Sequence, residues 1–272
     1  MSLRAGWRIG YFCGPMSHSL KFSLFRASLT AAVVMAAAIS VPAAEPAMIA
    51  KARAYLGTEA DLESVKAIHY TGTLVVAEET EASKQAPAAM DLVFQKPYRQ
   101  RVQATTTQRV EVTALDGYDG WQRLQDPADL SKWRQSLLGT DQIKRLRANT
   151  WENLSFFRGI ETIGGRIEDL GPVTFEGIAC QKLAYIHAPT IIFYRYFDLA
   201  TGRLVYSETE NGSGIREQGE VRVNGIRFPR TMTNSTKLPD GKVRTYTITF
   251  DRISVNEDVP ASRFAVPALG PK

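Results

Sequence analysis

Reactive side chains are sparse in this sequence of 272 residues, which holds three histidines and two cysteines. His18 and Cys13 precede residue 45, so a chain trimmed there keeps His69, His187 and Cys180. A zinc site would need ligands at HxH, HxxxH or CxxC spacing, and none occurs. His69 and His187 lie in apolar, alternating stretches and read as hydrogen-bonded histidines on one face of a sheet. Cys180 sits in a strand-like run without an activating partner nearby in sequence. The segment Asn211-Gly-Ser-Gly214 lacks the Lys-Ser/Thr ending and strand-to-helix setting of a phosphate loop, and reads as a hairpin turn. No G-x-S-x-G elbow is present. The sequence therefore predicts a protein that is not an enzyme and uses no metal or cofactor.

What the sequence does supply is apolar surface. Residues 190–197 (TIIFYRYF) place Ile191, Phe193 and Phe197 on one face and Ile192, Tyr194 and Tyr196 on the other. A strand with one wet face alternates, so this one must be covered on both sides. Tyr246, Ile248 and Phe250 form a second row, opposite Thr245, Thr247 and Thr249, and Met90, Leu92 and Phe94 a third. Two readings stay open: a close-packed strand under a helix, or a curved sheet whose concave face holds an acyl chain. On the second, Leu92, Phe94, Phe193, Phe197, Tyr246 and Phe250 line the site. Periodicity alone does not choose Phe193 and Phe197 over Tyr194 and Tyr196.

Those rows need a frame. The chain from Pro46 has a helical period to Leu56, stopped by Gly57, and Thr58 with Glu59 and Asp61 starts a second brief helix to Val65. The period then becomes two, over 67–77, 90–94 and 110–114, with Asp116-Gly117 and Asp119-Gly120 as turns. Residues 140–158 return to helical spacing, with Thr140 and Asp141 as caps and Gly159 after them. Strand-like runs follow at 176–187, 190–198, 203–210, 214–223, 228–237 and 242–253, divided by turn signals such as Asn211-Gly212, Asn224-Gly225 and Asp240-Gly241. No linker divides this order of helix, strands, helix and many strands. The expectation is one mainly β (α+β) domain over 44–272.

Charge and leader narrow the compartment. Of 33 Lys and Arg, four (Arg4, Arg8, Lys21 and Arg26) lie in residues 1–44, which hold no acid, leaving 29 basic against 28 acidic residues. A body so balanced is not expected to bind nucleic acid. Residues 27–44 are uncharged and mostly apolar, follow Lys21 and Arg26, and end in Val41-Pro42-Ala43-Ala44. They read as a signal peptide covering 1–43, cut after Ala43 or Ala44, with Met16 as the start that gives a usual leader length. An exported, periplasmic protein, soluble after cleavage, is expected.

Phe94-Gln-Lys-Pro97-Tyr-Arg-Gln-Arg101, then Ala114-Leu-Asp-Gly-Tyr-Asp-Gly-Trp121, resemble the signature of the LolA-like periplasmic lipoprotein-carrier superfamily. Tyr70-Thr-Gly-Thr-Leu74 and the closing Asn256…Phe264-Ala-Val-Pro267 resemble its outer-membrane lipoprotein-sorting branch, so the likeness spans roughly 46–267. It implies a single strongly curved, unclosed antiparallel half-barrel with helices plugging the concave face. It further implies Arg99 and Arg101 as residues that hold the helical lid, the alternative being a solvated strand face, and Trp121 as a seal at the sheet edge. The 126–139 segment with Trp133 departs from the pattern. The implied function is binding or carrying lipid, or the acyl chains of lipoproteins, with a membrane-associated protein as a further possible partner. A ligand-sensing or protein-interaction module of the same fold is the alternative.

Overall fold

Two short helices open the chain in the computed structural model, which describes residues 45–77, 86–238 and 241–268. In α1 (Ala47–Leu56) Pro46 takes the N-cap position, and Ile49, Ala52 and Arg53 are buried. In α2 (Glu59–Ser64) the Thr58 hydroxyl accepts from the Asp61 amide at 3.1 Å, and Glu59 and Asp61 occupy the first turn, where the helix dipole favours acids. The expected leader lies outside the described residues. The described residues from Pro46 onward form one compact unit.

The remaining elements are β1 (Ala67–Ala77), β2 (Ala88–Gln95), β3 (Arg99–Thr105), β4 (Val110–Asp116), β5 (Asp119–Gln125), β6 (Trp133–Leu137), α3 (Thr140–Leu154), β7 (Arg166–Phe175), β8 (Ile178–Ala188), β9 (Ile191–Asp198), β10 (Leu204–Thr209), β11 (Gly214–Gln218), β12 (Val221–Val223), β13 (Ile226–Phe228), β14 (Thr231–Lys237) and β15 (Val243–Val255). Thirteen strands form one antiparallel sheet in the order β6-β5-β4-β3-β2-β1-β15-β14-β11-β10-β9-β8-β7, while β12 and β13 pair separately. The sheet is unclosed, with β6 and β7 as its edges.

Its curvature follows from geometry. Asn149 and Glu152, less than one helical turn apart on α3, reach Gln100 on β3 and Arg195 on β9. Seven strand intervals separate β3 from β9. Flat, they would span roughly 34 Å at about 4.8 Å each, yet α3 is only about 22 Å long. The sheet must therefore wrap around the helix, which makes the fold the curved half-barrel expected from the sequence.

Four local features differ from expectation. The helix expected over 140–158 ends at Leu154, and Thr140 is its first residue, with the Gly139 amide donating to Gln142 Oε1 at 2.9 Å. Phe156 (φ 49) and Phe157 (φ 73) then turn the chain through the left-handed region. The runs 214–223 and 228–237 are each broken in two, because Gly219 (φ 68) lets the chain leave the main sheet and the Asn224-Gly225 hairpin stands apart. The edge strand β7 was not evident, since Arg-Ile-Glu-Asp-Leu-Gly-Pro-Val shows no apolar alternation and its register shifts between Asp169 and Pro172. The unusual 126–139 segment supplies the other edge, β6.

Candidate functional site

The face of the sheet that α3 covers, its inner face, can be traced by register. Gln100 meets α3, Phe94 lies opposite Gln100, and Ile68 opposite Phe94. Leu92 and Tyr70 continue that face, as do Phe250, Ile248 and Tyr246 on β15, opposite Gly72, Leu74 and Val76. At the far end Arg195 reaches α3, so the period of two puts Phe193 and Phe197 inward with it and turns Tyr194 and Tyr196 outward. All six residues expected to line the concave face therefore point into it. Rings meet there: Tyr70 lies 4.8 Å from Phe250 and 6.3 Å from Phe94, and Phe157 lies 4.9 Å from Phe197. Phe228 of the separate hairpin covers Tyr70 at 6.1 Å.

Arg99, Arg101 and Trp121 face the other way, which corrects their expected positions. Arg99 and Arg101 flank the inward Gln100, so both point to the outer face. Arg99 Nε donates to Asp116 at 2.8 Å, and Arg101 lies 3.6 Å from Asp91, which also accepts from Arg263. Trp121 donates Nε1–H to the Phe264 carbonyl at 2.8 Å. Here the C-terminal segment, with Val259 and Phe264 against Val93, covers the outer face; neither arginine touches the lid.

Other residues hold the lid, polar and apolar together. Gln100 Oε1 accepts from Asn149 Nδ2 at 3.0 Å and from the Thr150 hydroxyl at 3.2 Å. Glu152 accepts from Arg195 Nε at 2.9 Å, and its other oxygen lies 2.7 Å from His187 Nε2. Arg147 donates to the Gly117 carbonyl at 2.9 Å and stacks at 3.6 Å over Tyr98 and 4.0 Å over Tyr118. Arg145 pairs with Glu210 and the Thr190 carbonyl. At the end of α3, Arg53 Nη1 donates to the carbonyls of Ser155 and Phe156, and Tyr185 donates to that of Phe157. Apolar contact comes from Leu146, Leu154 and Trp151, the last 6.3 Å from Tyr185. Sequence reasoning passed over these groups, although Arg195 was a usable signal: one charge inside an apolar strand requires a buried partner.

The inner face also carries polar groups deeper in. Register puts Glu217 on β11 opposite Met232, and Asn234 opposite Ile215. Asn234 is 3% exposed, and its Nδ2 has no hydrogen-bond partner among the described residues. Burial pushes the Glu217 carboxyl above the ordinary range, against the opposing charge of Arg195. Burial likewise raises the Tyr70 phenol, and Glu217 adds to it. Glu152 is the reverse case: burial alone would raise it, but Arg195 and His187 hold it below the ordinary range.

Both histidines are hydrogen-bonded in the sheet, as read from their patterns: His187 with Glu152, and His69, outward, with Asp91 and Glu257. Cys180 is buried against Tyr196 and Val205 on the outer side, its thiol pushed up by burial and by Asp198. Among the described residues no group of His, Cys, Asp and Glu could hold a metal ion.

No family model matches the sequence, and no curated protein does. Solved structures match the fold. The LolA superfamily protein NE2245 from Nitrosomonas europaea is 11% identical, with a TM-score of 0.50 over 78% of this chain and 98% of its own. A DUF1329 family protein from Desulfovibrio piger is 11% identical, with a TM-score of 0.50 over 80% and 96%. At such identities the likeness is one of fold, and the fold is LolA-like.

Proposed function

We propose that this protein is an exported, non-catalytic carrier of acylated cargo, either lipid or the acyl chains of lipoproteins, held between the inner face of the sheet and α3. One observation supports the reading above others: an amphipathic helix covers an aromatic surface, tied at both walls by hydrogen bonds and ion pairs in addition to its apolar contacts. Apolar interlock is lost outright when a lid lifts, whereas water replaces hydrogen bonds at a net cost of only about 1 kcal/mol each. A cover fixed this way can open and expose Phe94, Phe193, Phe197 and Phe250 to an alkyl chain. Glu152 is engaged by both His187 and Arg195, which supports a structural tie for the lid over a reacting group.

The test is uptake of a neutral dansyl-dodecylamide probe by delipidated, refolded protein. Saturable binding with a blue-shifted emission is expected; no uptake would sink the reading. Export implies a mature N-terminus at Ala44 or Glu45, and the intact mass of the exported protein checks it, retention of residues 16–43 being the contrary result.

A further inference from the structure

A cleft of about 370 Å³ opens where the end of α3, the Lys96-Pro97-Tyr98 turn after β2 and α2 come together. Its floor is apolar, made by Leu62, Trp151 and Leu154. Trp151 also meets Tyr185 in a tilted contact, ring centroids 6.3 Å apart, so the floor runs into the inner face. Three cations and one carboxylate line the walls: Arg53, Lys96 and Arg158 against Glu63. Glu59 binds both arginines, accepting from Arg53 Nε at 3.0 Å and from Arg158 Nη1 at 2.9 Å. Lys96 is exposed at the cleft and makes no ion pair within 4 Å among the described residues; partial desolvation and the Arg53 charge push its ammonium below the ordinary range, against the opposing pull of Glu63. Ser155 borders the same cleft, and its hydroxyl, buried just beneath the surface, has no hydrogen-bond partner among the described residues. The carbonyl end of a helix repels anions, but here Arg53 already donates to the Ser155 and Phe156 carbonyls.

A net positive cleft with an unpaired ammonium, an unused hydroxyl donor and an apolar floor is complementary to an anion that carries an alkyl chain. We infer that the cleft binds the anionic head, carboxylate or phosphate, of an amphiphile, with Lys96 Nζ and Ser155 Oγ as donors and the first part of the chain on Trp151 and Leu154. The inference rests on the carrier reading and adds to it a ligand class and an entry point.

Calorimetric titration of the delipidated mature protein with decyl phosphate, decanol and inorganic phosphate tests it. Decyl phosphate should bind more tightly than either of the others. Lys96→Gln should weaken it about tenfold, as expected for a lost hydrogen bond to a charged group, and leave decanol unchanged. Ser155→Ala should weaken decyl phosphate several-fold, and Lys132→Gln, in an exposed ion pair away from the cleft, should have no effect. Equal binding of decyl phosphate and decanol, unaltered by Lys96→Gln, would overturn the head-group assignment while dansyl-dodecylamide uptake keeps the carrier reading intact. Inorganic phosphate binding as tightly as decyl phosphate would overturn the amphiphile in favour of a plain anion site. Loss of binding to every alkyl ligand, the dansyl probe included, would remove the carrier reading together with this one.

Discussion

Glu152 on α3 and Arg195 on β9 form a buried ion pair, with the guanidinium Nε donating to the carboxylate at 2.9 Å and His187 2.7 Å from its other oxygen. The pair joins the lid to the half of the sheet that lies seven strands away from Gln100, another of its anchors. Two ties on opposite walls fix both the position of α3 and the radius of the half-barrel.

Removing one partner of such a pair strands the other charge in a dry site. Arg195→Met or Glu152→Leu should each cost about 3–5 kcal/mol, whereas the double variant should cost clearly less than the two together. Urea unfolding of the three variants reads this, and additive losses would mean that the pair is not coupled.

Glu217 gives a pH signature of opposite sign to Glu152. Its carboxyl is raised by burial, so the native state favours the protonated form. That contribution is complete below the unfolded value of about 4.3 and is lost as pH rises through the folded one. Glu217→Gln should therefore stabilise the protein at pH 8, with the gain fading toward pH 4. Glu152, held low by Arg195 and His187 against burial, loses its contribution as pH falls instead. A gain from Glu217→Gln that is constant across this range would show that the group does not titrate as described.

The strand frame was legible because turn dipeptides and period-two rows lie close together in sequence; alternation puts Leu92 with Phe94 and Tyr246 with Phe250, but that the two rows share the inner face follows from the pairing through β1. The inward choice of Phe193 and Phe197 needed Arg195, whose partner Glu152 lies 43 residues earlier. Arg99 and Arg101 share a face by period two, but which face depends on Gln100 meeting α3, a tertiary fact. Strand β7 is faint in the sequence because Glu168-Asp169-Leu170-Gly171-Pro172 breaks its alternation, leaving only Val173 and Phe175 to mark the face that packs on the Cys180 cluster.

Cys180 should be chemically silent. It is buried among Tyr196 and Val205 on the outer side, away from the lid. Cys180→Ser puts a hydroxyl into that apolar cluster and should cost about 1–3 kcal/mol while dansyl-dodecylamide uptake stays unchanged. Slow reaction of the native thiol with Ellman's reagent is expected alongside. Loss of uptake without unfolding would point to thiol chemistry.

Gln100 offers the most direct kinetic probe of the lid. Its Oε1 accepts from both Asn149 and Thr150, yet its side chain bears no charge and lies away from the Lys96 cleft. Gln100→Ala leaves the Asn149 donor without this acceptor and should cost about 1–3 kcal/mol in stability. If α3 must lift for cargo to enter, the same change favours the open state, and 1–1.4 kcal/mol corresponds to uptake faster by about five- to tenfold. Arg101→Gln, one residue away but on the outer face, should leave the rate alone. Phe250→Ala, which removes a fully buried ring, should lower stability by about 3–5 kcal/mol and slow or weaken uptake rather than speed it. Stopped-flow mixing with dansyl-dodecylamide separates the three. Equal rates in wild type and Gln100→Ala, with the expected loss of stability, would mean that chains enter without displacing α3, and the helix would then be a fixed part of the core.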